Sequence, residues 1–129
     1  MIVSVALADT SLFIGREQSR FDSSVMPSSL SVSMITVGEL KLGVLAAQDP
    51  HVRAARLRTL SDALALEPLP VDEIVADAWA ELRITLREVG RKLPSSDSWI
   101  AATAIAHGLS VATQDDDYDD IPGLLVIKL

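Results

Sequence analysis

Five acidic residues stand where a folded chain would bring their carboxylates together. Asp9 follows an apolar stretch, and Asp115 follows a second one, with Asp117 two residues further on. Glu39 and Asp97 each stand near the start of a helical pattern. Clustered oxygen ligands favour Mg²⁺ or Mn²⁺. Two such ions, about 4 Å apart, could activate a water and stabilise the leaving oxygen of a phosphodiester. The pattern therefore predicts metal-dependent hydrolysis.

Each of these residues also has an ordinary local explanation. Asp9 could cap a helix N-terminus. Residues 36–39 (TVGE) fit a capping box, in which Glu39 reaches back to the cap amide. Asp97 would favour the dipole of the helix that it starts, and the last two aspartates lie in a turn, where aspartate is common. Because capping explains each residue singly, the prediction depends on their joint placement.

Strands and helices alternate along the chain. Apolar stretches predict strands at 1–8, 30–34, 64–69, 109–112 and 124–129. Helical spacing predicts helices at 11–20, 36–47, 51–63, 71–89 and 97–107, with a serine-rich connection at 21–29 and an acidic turn at 115–123. Gly90 and Gly108 are predicted to end the last two helices. This alternation is typical of a single α/β domain, residues 1–129, with a mostly parallel sheet covered by helices on both faces.

The alternation also decides where the acidic residues meet. In a parallel sheet, the strand exits and the starts of the following helices lie on one edge. Carboxylates converging there would repel one another by several kcal/mol in a low-dielectric pocket unless a cation binds. The residues predicted at this edge are Asp9, Glu39, Asp97 and Asp115.

The composition limits the alternatives. The 129 residues contain no cysteine, which excludes disulfides and thiolate metal sites. The formal charge of −7, from 18 acidic and 11 basic residues, opposes the binding of nucleic-acid phosphates. Two basic clusters could offset this charge or could be solvated helix faces: Arg53, Arg56 and Arg58, and Arg83, Arg87, Arg91 and Lys92. No membrane segment or signal peptide is recognisable, so a cytoplasmic protein is predicted.

At the acidic residues the sequence resembles the PIN domain, and specifically the VapC toxins of bacterial toxin–antitoxin pairs. The matching stretches are DTSLFI at 9–14, SMITVGEL at 33–40 followed by Gly43, SDSWIAATA at 96–104, ATQDDDY at 112–118 and IPGL at 121–124. Their order and spacing agree over essentially the whole chain. One difference is Tyr118, which stands where phenylalanine is usual in the family.

The resemblance implies a PIN-like, Rossmann-like three-layer fold and a set of site residues. Asp9, Glu39, Asp97 and Asp115 would be the catalytic metal ligands, with Asp117 as an accessory ligand, binding Mg²⁺ or Mn²⁺. It further implies an endoribonuclease toxin whose substrates are RNAs, often tRNA or rRNA cut at one site. The implied partners are a second copy of the chain, in a homodimer, and a VapB-like antitoxin whose C-terminal segment occupies the active-site groove.

Two other functions would use a similar domain. A receiver-like signalling domain would need paired acids after the first strand and a lysine near a late strand end, whereas Asp9 stands alone and Lys128 is nearly terminal. A catalytically inactive PIN domain that only binds RNA would have no reason to keep mutually repelling carboxylates. Serine catalysis is not indicated, because no Gly-x-Ser-x-Gly motif is present. The histidines, His51 and His107, are predicted to lie away from the acidic residues, and the tryptophans, Trp79 and Trp99, to lie in the core.

Overall fold

The computed structural model describes residues 5–21, 27 and 29–129. Nine elements succeed one another within these residues: β1 (Val5–Ala8), α1 (Thr10–Glu17), β2 (Ser29–Val32), α2 (Met34–Ala46), α3 (Pro50–Leu64), α4 (Glu73–Glu88), α5 (Ser95–Ala106), β3 (Ser110–Thr113) and β4 (Val126–Lys128). The first half of the predicted strand at 1–8 and most of the predicted serine-rich connection (22–26 and 28) lie outside the described residues.

The four strands form one parallel sheet in the order β2-β1-β3-β4. β1 is flanked on both sides: Ala6 pairs with Leu30 of β2 and with Ser110 of β3. The carboxyl ends of parallel strands lie at one edge of the sheet. The residues directly after β1, β2 and β3 are therefore neighbours in space, although they are far apart in the sequence. The predicted parallel α/β sheet is confirmed.

Alternate residues of the sheet supply two separate cores, one on each face. Leu7 and Val111 pack against buried residues of α4 and α5. Ala6, Ala8 and Ala112 point to the other face and join buried residues of α1, α2 and α3. Because successive side chains of a strand point to opposite faces, the resulting molecule has three layers, with helices on both sides of the sheet.

The strand predicted at 64–69 is wrong. Helix α3 continues to Leu64, and the chain then turns through Glu67, whose φ is +55°. Within 64–69, all of which the structure describes, Leu69 alone forms a β-bridge, to Ser33. The apolar residues of this segment close the end of a helix and make a single contact with the sheet edge, so their strand-like composition is misleading.

The glycines predicted to end the last two helices do so, whereas several predicted helix starts are displaced by two residues. Gly90 and Gly108 have φ values of +69° and +65° and come after α4 and α5, as expected for glycines that terminate helices. Helix α2 begins earlier than predicted, with Ser33 as its N-cap, and α5 begins earlier at Ser95. None of the helices in the described part of the chain is long and apolar enough to cross a membrane.

Candidate active site

Asp9 lies at the carboxyl end of β1, buried to 2% exposure and held by three hydrogen bonds. The Ser11 amide donates to Oδ1 at 3.0 Å, which caps α1. The Ser11 hydroxyl donates to Oδ2 at 3.0 Å, and the Thr113 hydroxyl donates to the same oxygen at 2.5 Å. The capping role predicted for Asp9 is confirmed, and Oδ2 receives two further bonds that a cap does not need.

The two hydroxyls that hold Asp9 also hold the start of the acidic turn. The Gln114 amide donates to Ser11 Oγ at 3.1 Å, and the Asp115 amide donates to Thr113 Oγ1 at 2.9 Å. Each hydroxyl thus donates to the carboxylate and accepts from the backbone just after β3. The orientation of Asp9 and the path of the chain into the turn are consequently coupled.

Glu39 belongs to the same edge, but it does not form a capping box. Ser33, and not Thr36, is the N-cap of α2, and its hydroxyl accepts from the Thr36 amide at 3.2 Å. Glu39 Oε1 instead accepts from the Thr10 hydroxyl at 2.6 Å. Since Thr10 has a single hydroxyl hydrogen, the 3.0 Å contact between Thr10 Oγ1 and Thr36 Oγ1 requires Thr36 to be the donor. A chain of two threonine hydroxyls therefore ends on the Glu39 carboxylate.

Asp97 stands in the first turn of α5, two residues after the helix begins. The fully buried Tyr118 donates its hydroxyl to Asp97 Oδ1 at 3.2 Å. Burial, a hydrogen bond shared with the Asp117 carboxyl group and the charge of Asp9 raise the pKa of Asp97 from 3.8 to about 7. A carboxyl group in this state is a perturbed acid of the kind found at functional sites.

The pKa values of two further aspartates, Asp9 and Asp115, are raised for similar reasons. Burial raises the pKa of Asp9, an effect that its hydrogen bonds oppose and the charge of Glu39 reinforces. Desolvation and the charges of Asp9 and Asp117 raise the pKa of Asp115. All five predicted site residues thus interact at one edge of the sheet, with Asp9 coupled to Glu39, Asp97 and Asp115.

The aspartates of the acidic turn divide into two groups. Lys128 of β4 forms ion pairs with Asp116 and with Asp119, the latter at 2.9 Å. These two carboxylates are drawn toward β4, whereas those of Asp115 and Asp117 interact with the buried acidic residues. The sequence alone does not show which aspartates of this turn belong to the site. The Lys128 ion pairs distinguish Asp116 and Asp119 from Asp115 and Asp117.

Arg91 holds the acidic turn from its other side. Its guanidinium donates to the carbonyl oxygen of Asp119 at 2.5 Å and to that of Asp117 at 2.7 Å. The contact joins the end of α4 to the turn across 26 to 28 positions of sequence. Because both acceptors are backbone carbonyl oxygens, the side chains of the turn do not indicate that Arg91 binds there. Sequence reasoning assigned Arg91 to a basic cluster and missed this function.

The acidic residues fit a divalent cation by their chemistry. In the present side-chain conformations, no three carboxylate or imidazole groups among the described residues lie close enough together to hold one ion. The donors are nevertheless all oxygens, and the pKa values of Asp9, Asp97 and Asp115 are raised by burial and by neighbouring negative charge. A hard cation bound among them would remove the repulsion.

Residues predicted to be structural are found in structural positions. Trp79 and Trp99 stack face to face, with centroids 4.4 Å apart, and pack against the core of α4 and α5. His107 is the C-cap of α5, at the opposite end of that helix from Asp97, and His51 lies in the first turn of α3. Lys128 lies on the edge strand and binds the acidic turn, which does not match the receiver-like arrangement.

Known proteins show the same fold and a related sequence. A family model described as PIN domain matches residues 6–124. Ribonuclease VapC4 of Mycobacterium tuberculosis is 49% identical over 130 residues, covering 100% of both chains. Ribonuclease VapC5 of the same organism is 41% identical over 127 residues, covering 98% of this chain and 94% of that protein.

A solved structure extends this likeness to three dimensions. The crystal structure of VapBC-5, a member of the VapBC family of toxin–antitoxin systems from Mycobacterium tuberculosis, aligns with a TM-score of 0.87 at 40% identity. The alignment covers 98% of this chain and 99% of that chain. The match in sequence, fold and chain length confirms the resemblance drawn from the acidic motifs. The chain belongs to the PIN-domain family, in its VapC branch.

Proposed function

We propose that this protein is a metal-dependent endoribonuclease, the toxin of a toxin–antitoxin pair, which hydrolyses RNA phosphodiester bonds. The observation that carries the proposal is the convergence of five carboxylates at the carboxyl edge of the sheet, where burial and mutual charge raise the pKa values of Asp9, Asp97 and Asp115. The ribonuclease names of relatives 49% and 41% identical support the choice of RNA as substrate.

The proposed ligands are the acidic residues of this edge. Asp9, Glu39, Asp97 and Asp115 would hold Mg²⁺, or Mn²⁺, with Asp117 as an accessory ligand. When bound, such a cation lowers the pKa of water and neutralises charge on the phosphate. A divalent cation would also lower the raised pKa values of the aspartates, so that the carboxylates would be ionised at neutral pH.

The contribution of the chain itself is to orient these carboxylates. The Ser11 and Thr113 hydroxyls both donate to Asp9 Oδ2, and the Thr10 hydroxyl donates to Glu39 Oε1, so both carboxylates are fixed before any ligand binds. The Tyr118 hydroxyl orients Asp97 from the buried side. Groups that are positioned in advance need not reorganise during the reaction, which is the main source of catalytic advantage in phosphoryl chemistry.

We further propose a structured RNA such as tRNA as the substrate and a VapB-like antitoxin as the partner. The solved structures that this chain resembles include toxin–antitoxin complexes, among them VapBC-5, which supports the antitoxin partner. Leu42 and Leu45 of α2 are each 67% exposed, and we propose that apolar side chains of this kind contribute to a homodimer. Size-exclusion chromatography with light scattering tests the dimer directly.

RNA cleavage by the purified, antitoxin-free protein tests the enzymatic proposal. We expect discrete RNA fragments with Mg²⁺ or Mn²⁺ and none after addition of EDTA. Asp97→Asn should abolish cleavage, because it removes one ionised ligand from the edge. The matched control is Asp77→Asn, the same change at an exposed position of α4, which should cleave normally.

Two outcomes would contradict the proposal. Intact RNA in every cation condition, with the protein folded, would favour a PIN domain that binds RNA without cutting it. Cleavage that survives both EDTA and Asp97→Asn would point to a contaminating nuclease or to chemistry outside this edge.

A further inference from the structure

A basic depression lies at the end of α4, beside the carboxyl edge of the sheet that carries Asp9, Glu39, Asp97, Asp115 and Asp117, which we call the acidic edge. It has a volume of about 440 Å³ and is lined by four cationic side chains, Arg83, Arg87, Arg91 and Lys92, with the buried Leu86 and Leu93 on its apolar side. These four residues are a large share of the 11 basic residues in a chain of net charge −7. A concentration of positive charge in so acidic a protein requires an explanation beyond solubility.

None of the four cations forms an ion pair in the part of the chain that the structure describes. Arg91 is occupied by the carbonyl oxygens of the acidic turn. Among the described residues, no acidic side chain lies within 4.0 Å of the charged groups of Arg83, Arg87 or Lys92. All three side chains are exposed, so their charges are available to a ligand. By contrast, Arg16 is paired with Asp62.

The depression is firmly attached to the proposed catalytic edge. Arg91 links it directly to the backbone of Asp117. The Arg83 guanidinium lies 5.8 Å from the ring centroid of Trp79, and the Trp79 indole donates to Ser98 Oγ at 3.0 Å. Ser98 is the residue immediately after Asp97. Two of the four cationic lining residues, Arg91 and Arg83, are therefore tied to the edge by independent contacts, which places the depression next to Asp97.

We propose that Arg83, Arg87 and Lys92 form a phosphate-binding site that holds the RNA strand next to the acidic edge. This inference rests on the proposed ribonuclease function. An acidic centre repels the phosphate backbone, so a polyanion needs cations beside the centre in order to approach it. Guanidinium and ammonium groups bind phosphate oxygens without reading bases. The site would thus supply affinity and alignment and no sequence preference.

The test measures binding without cleavage. In an Asp97→Asn background with Mg²⁺, a fluorescein-labelled single-stranded RNA of about 20 nucleotides is titrated by anisotropy between about 50 and about 200 mM KCl. The variants are Arg87→Gln and the double Arg87→Gln/Lys92→Gln. Arg58→Gln is the matched control, because Arg58 is an exposed arginine on α3 that lines a different depression. Arg83 is left intact, since it also packs over Trp79.

We expect the double variant to bind RNA about 10-fold more weakly at intermediate salt. The slope of log K against log salt should fall by about 0.7 for each lost phosphate contact. Arg58→Gln should match the parent within about twofold, and circular dichroism should show unchanged melting for all variants, because the altered side chains are exposed.

Unchanged affinity and slope in the double variant would overturn the phosphate site. The site would also be overturned if the double variant lost binding of a glutamate-rich peptide but kept that of RNA, which would indicate an acidic protein ligand. The readout does not need catalysis. If the wild type does not cut RNA, the nuclease proposal is contradicted. Loss of RNA binding in the double variant would support the phosphate site even in that case.

Discussion

The acidic edge has two halves that are built differently. The strand half, Asp9 and Glu39, is held by hydroxyl donors from Ser11, Thr113 and Thr10 at 2.5 to 3.0 Å. The turn half consists of Asp97, Asp115 and Asp117. In the turn half, Asp97 accepts from one hydroxyl group among the described residues, that of Tyr118. The turn itself is restrained by Arg91, which donates to two of its backbone carbonyl oxygens.

The two halves differ in how far hydrogen bonds offset the burial of their carboxylates. In the strand half, hydrogen bonds to the ionised carboxylate partly offset the cost of its burial. In the turn half, the pKa of Asp97 reaches about 7 because burial is reinforced by the nearby carboxyl groups of Asp117 and Asp9. The strand half is thus positioned in advance, while the turn half would need the proposed cation to become fully ionised.

The largest expected effect comes from exchanging one carboxylate in each half. Asp9→Asn should lower RNA cleavage by more than about 100-fold, because a ligand should matter more than the outer partners whose loss costs about 10- to 100-fold. Asp117→Asn should lower it by about 10-fold, since Asp117 is proposed only as an accessory ligand. Single-turnover cleavage with Mg²⁺ measures both. Equal losses in the two variants would contradict the division between halves.

Removing the Arg91 contacts tests the turn half alone. Arg91→Gln should reduce cleavage about 10-fold and raise the Mg²⁺ concentration needed for half-maximal rate, because the acidic turn loses its restraint. Arg91→Lys should not restore activity, since one ammonium does not reproduce the fork that spans two carbonyls. Lys92→Gln is the control: it should change the salt dependence and leave the Mg²⁺ requirement unaltered. An unaltered Mg²⁺ requirement in Arg91→Gln would show that the turn needs no restraint.

A smaller effect is expected on the stability of the metal-free protein. Because the pKa of Asp97 is about 7 when folded and 3.8 ordinarily, the folded chain binds more protons between these values. The free energy of unfolding contributed by Asp97 should therefore fall as pH rises from about 4 to about 7. Melting temperatures at about pH 5 and pH 7.5 should show this decline, Mg²⁺ should reverse it at the higher pH, and Asp97→Asn should flatten it. A melting temperature that rises with pH in the wild type, relative to Asp97→Asn, would contradict the assignment.

The smallest effect is expected for Tyr118→Phe. Phenylalanine fills the same buried space, and Asp97 loses one neutral donor, so stability should fall by about 1 kcal/mol and cleavage by no more than about threefold. Thr113→Val is the comparison in the strand half and should cost more activity, because Thr113 holds both Asp9 and the Asp115 amide. A larger loss in Tyr118→Phe than in Thr113→Val would reverse the ranking of the two halves.

The general placement of the site could be predicted from the sequence because it depends only on the order of strands and helices along the chain. Strands that alternate with helices produce a parallel sheet, and the residues at the carboxyl ends of its strands lie along one edge. Asp9, Asp115 and the starts of α2 and α5 meet for that reason. The PIN-domain motifs added the fold family, which the comparisons confirm.

Finer details depend on contacts that the sequence does not display. Both Ser33 and Thr36 can cap a helix, and Ser33 is the cap because β2 ends at Val32 and Ser33 bridges to Leu69. The strand predicted at 64–69 is wrong because α3 continues to Leu64, the chain then turns through Glu67, and Leu69 alone pairs with the sheet. The Arg91 contacts were missed because their acceptors are carbonyl oxygens, which every residue possesses.

The hydrogen bond from Thr113 to Asp9 joins residues 104 positions apart, and it has a consequence for the timing of synthesis. Closing so long a loop is slow and becomes favourable only when the intervening helices have packed. During translation, a nascent chain that has not yet exposed β3 has neither Thr113 nor Asp115 and cannot orient Asp9 beside them. We expect the proposed toxin to remain inactive on the ribosome until β3 and the acidic turn have been synthesised, which leaves time for an inhibitor to be present when activity first arises.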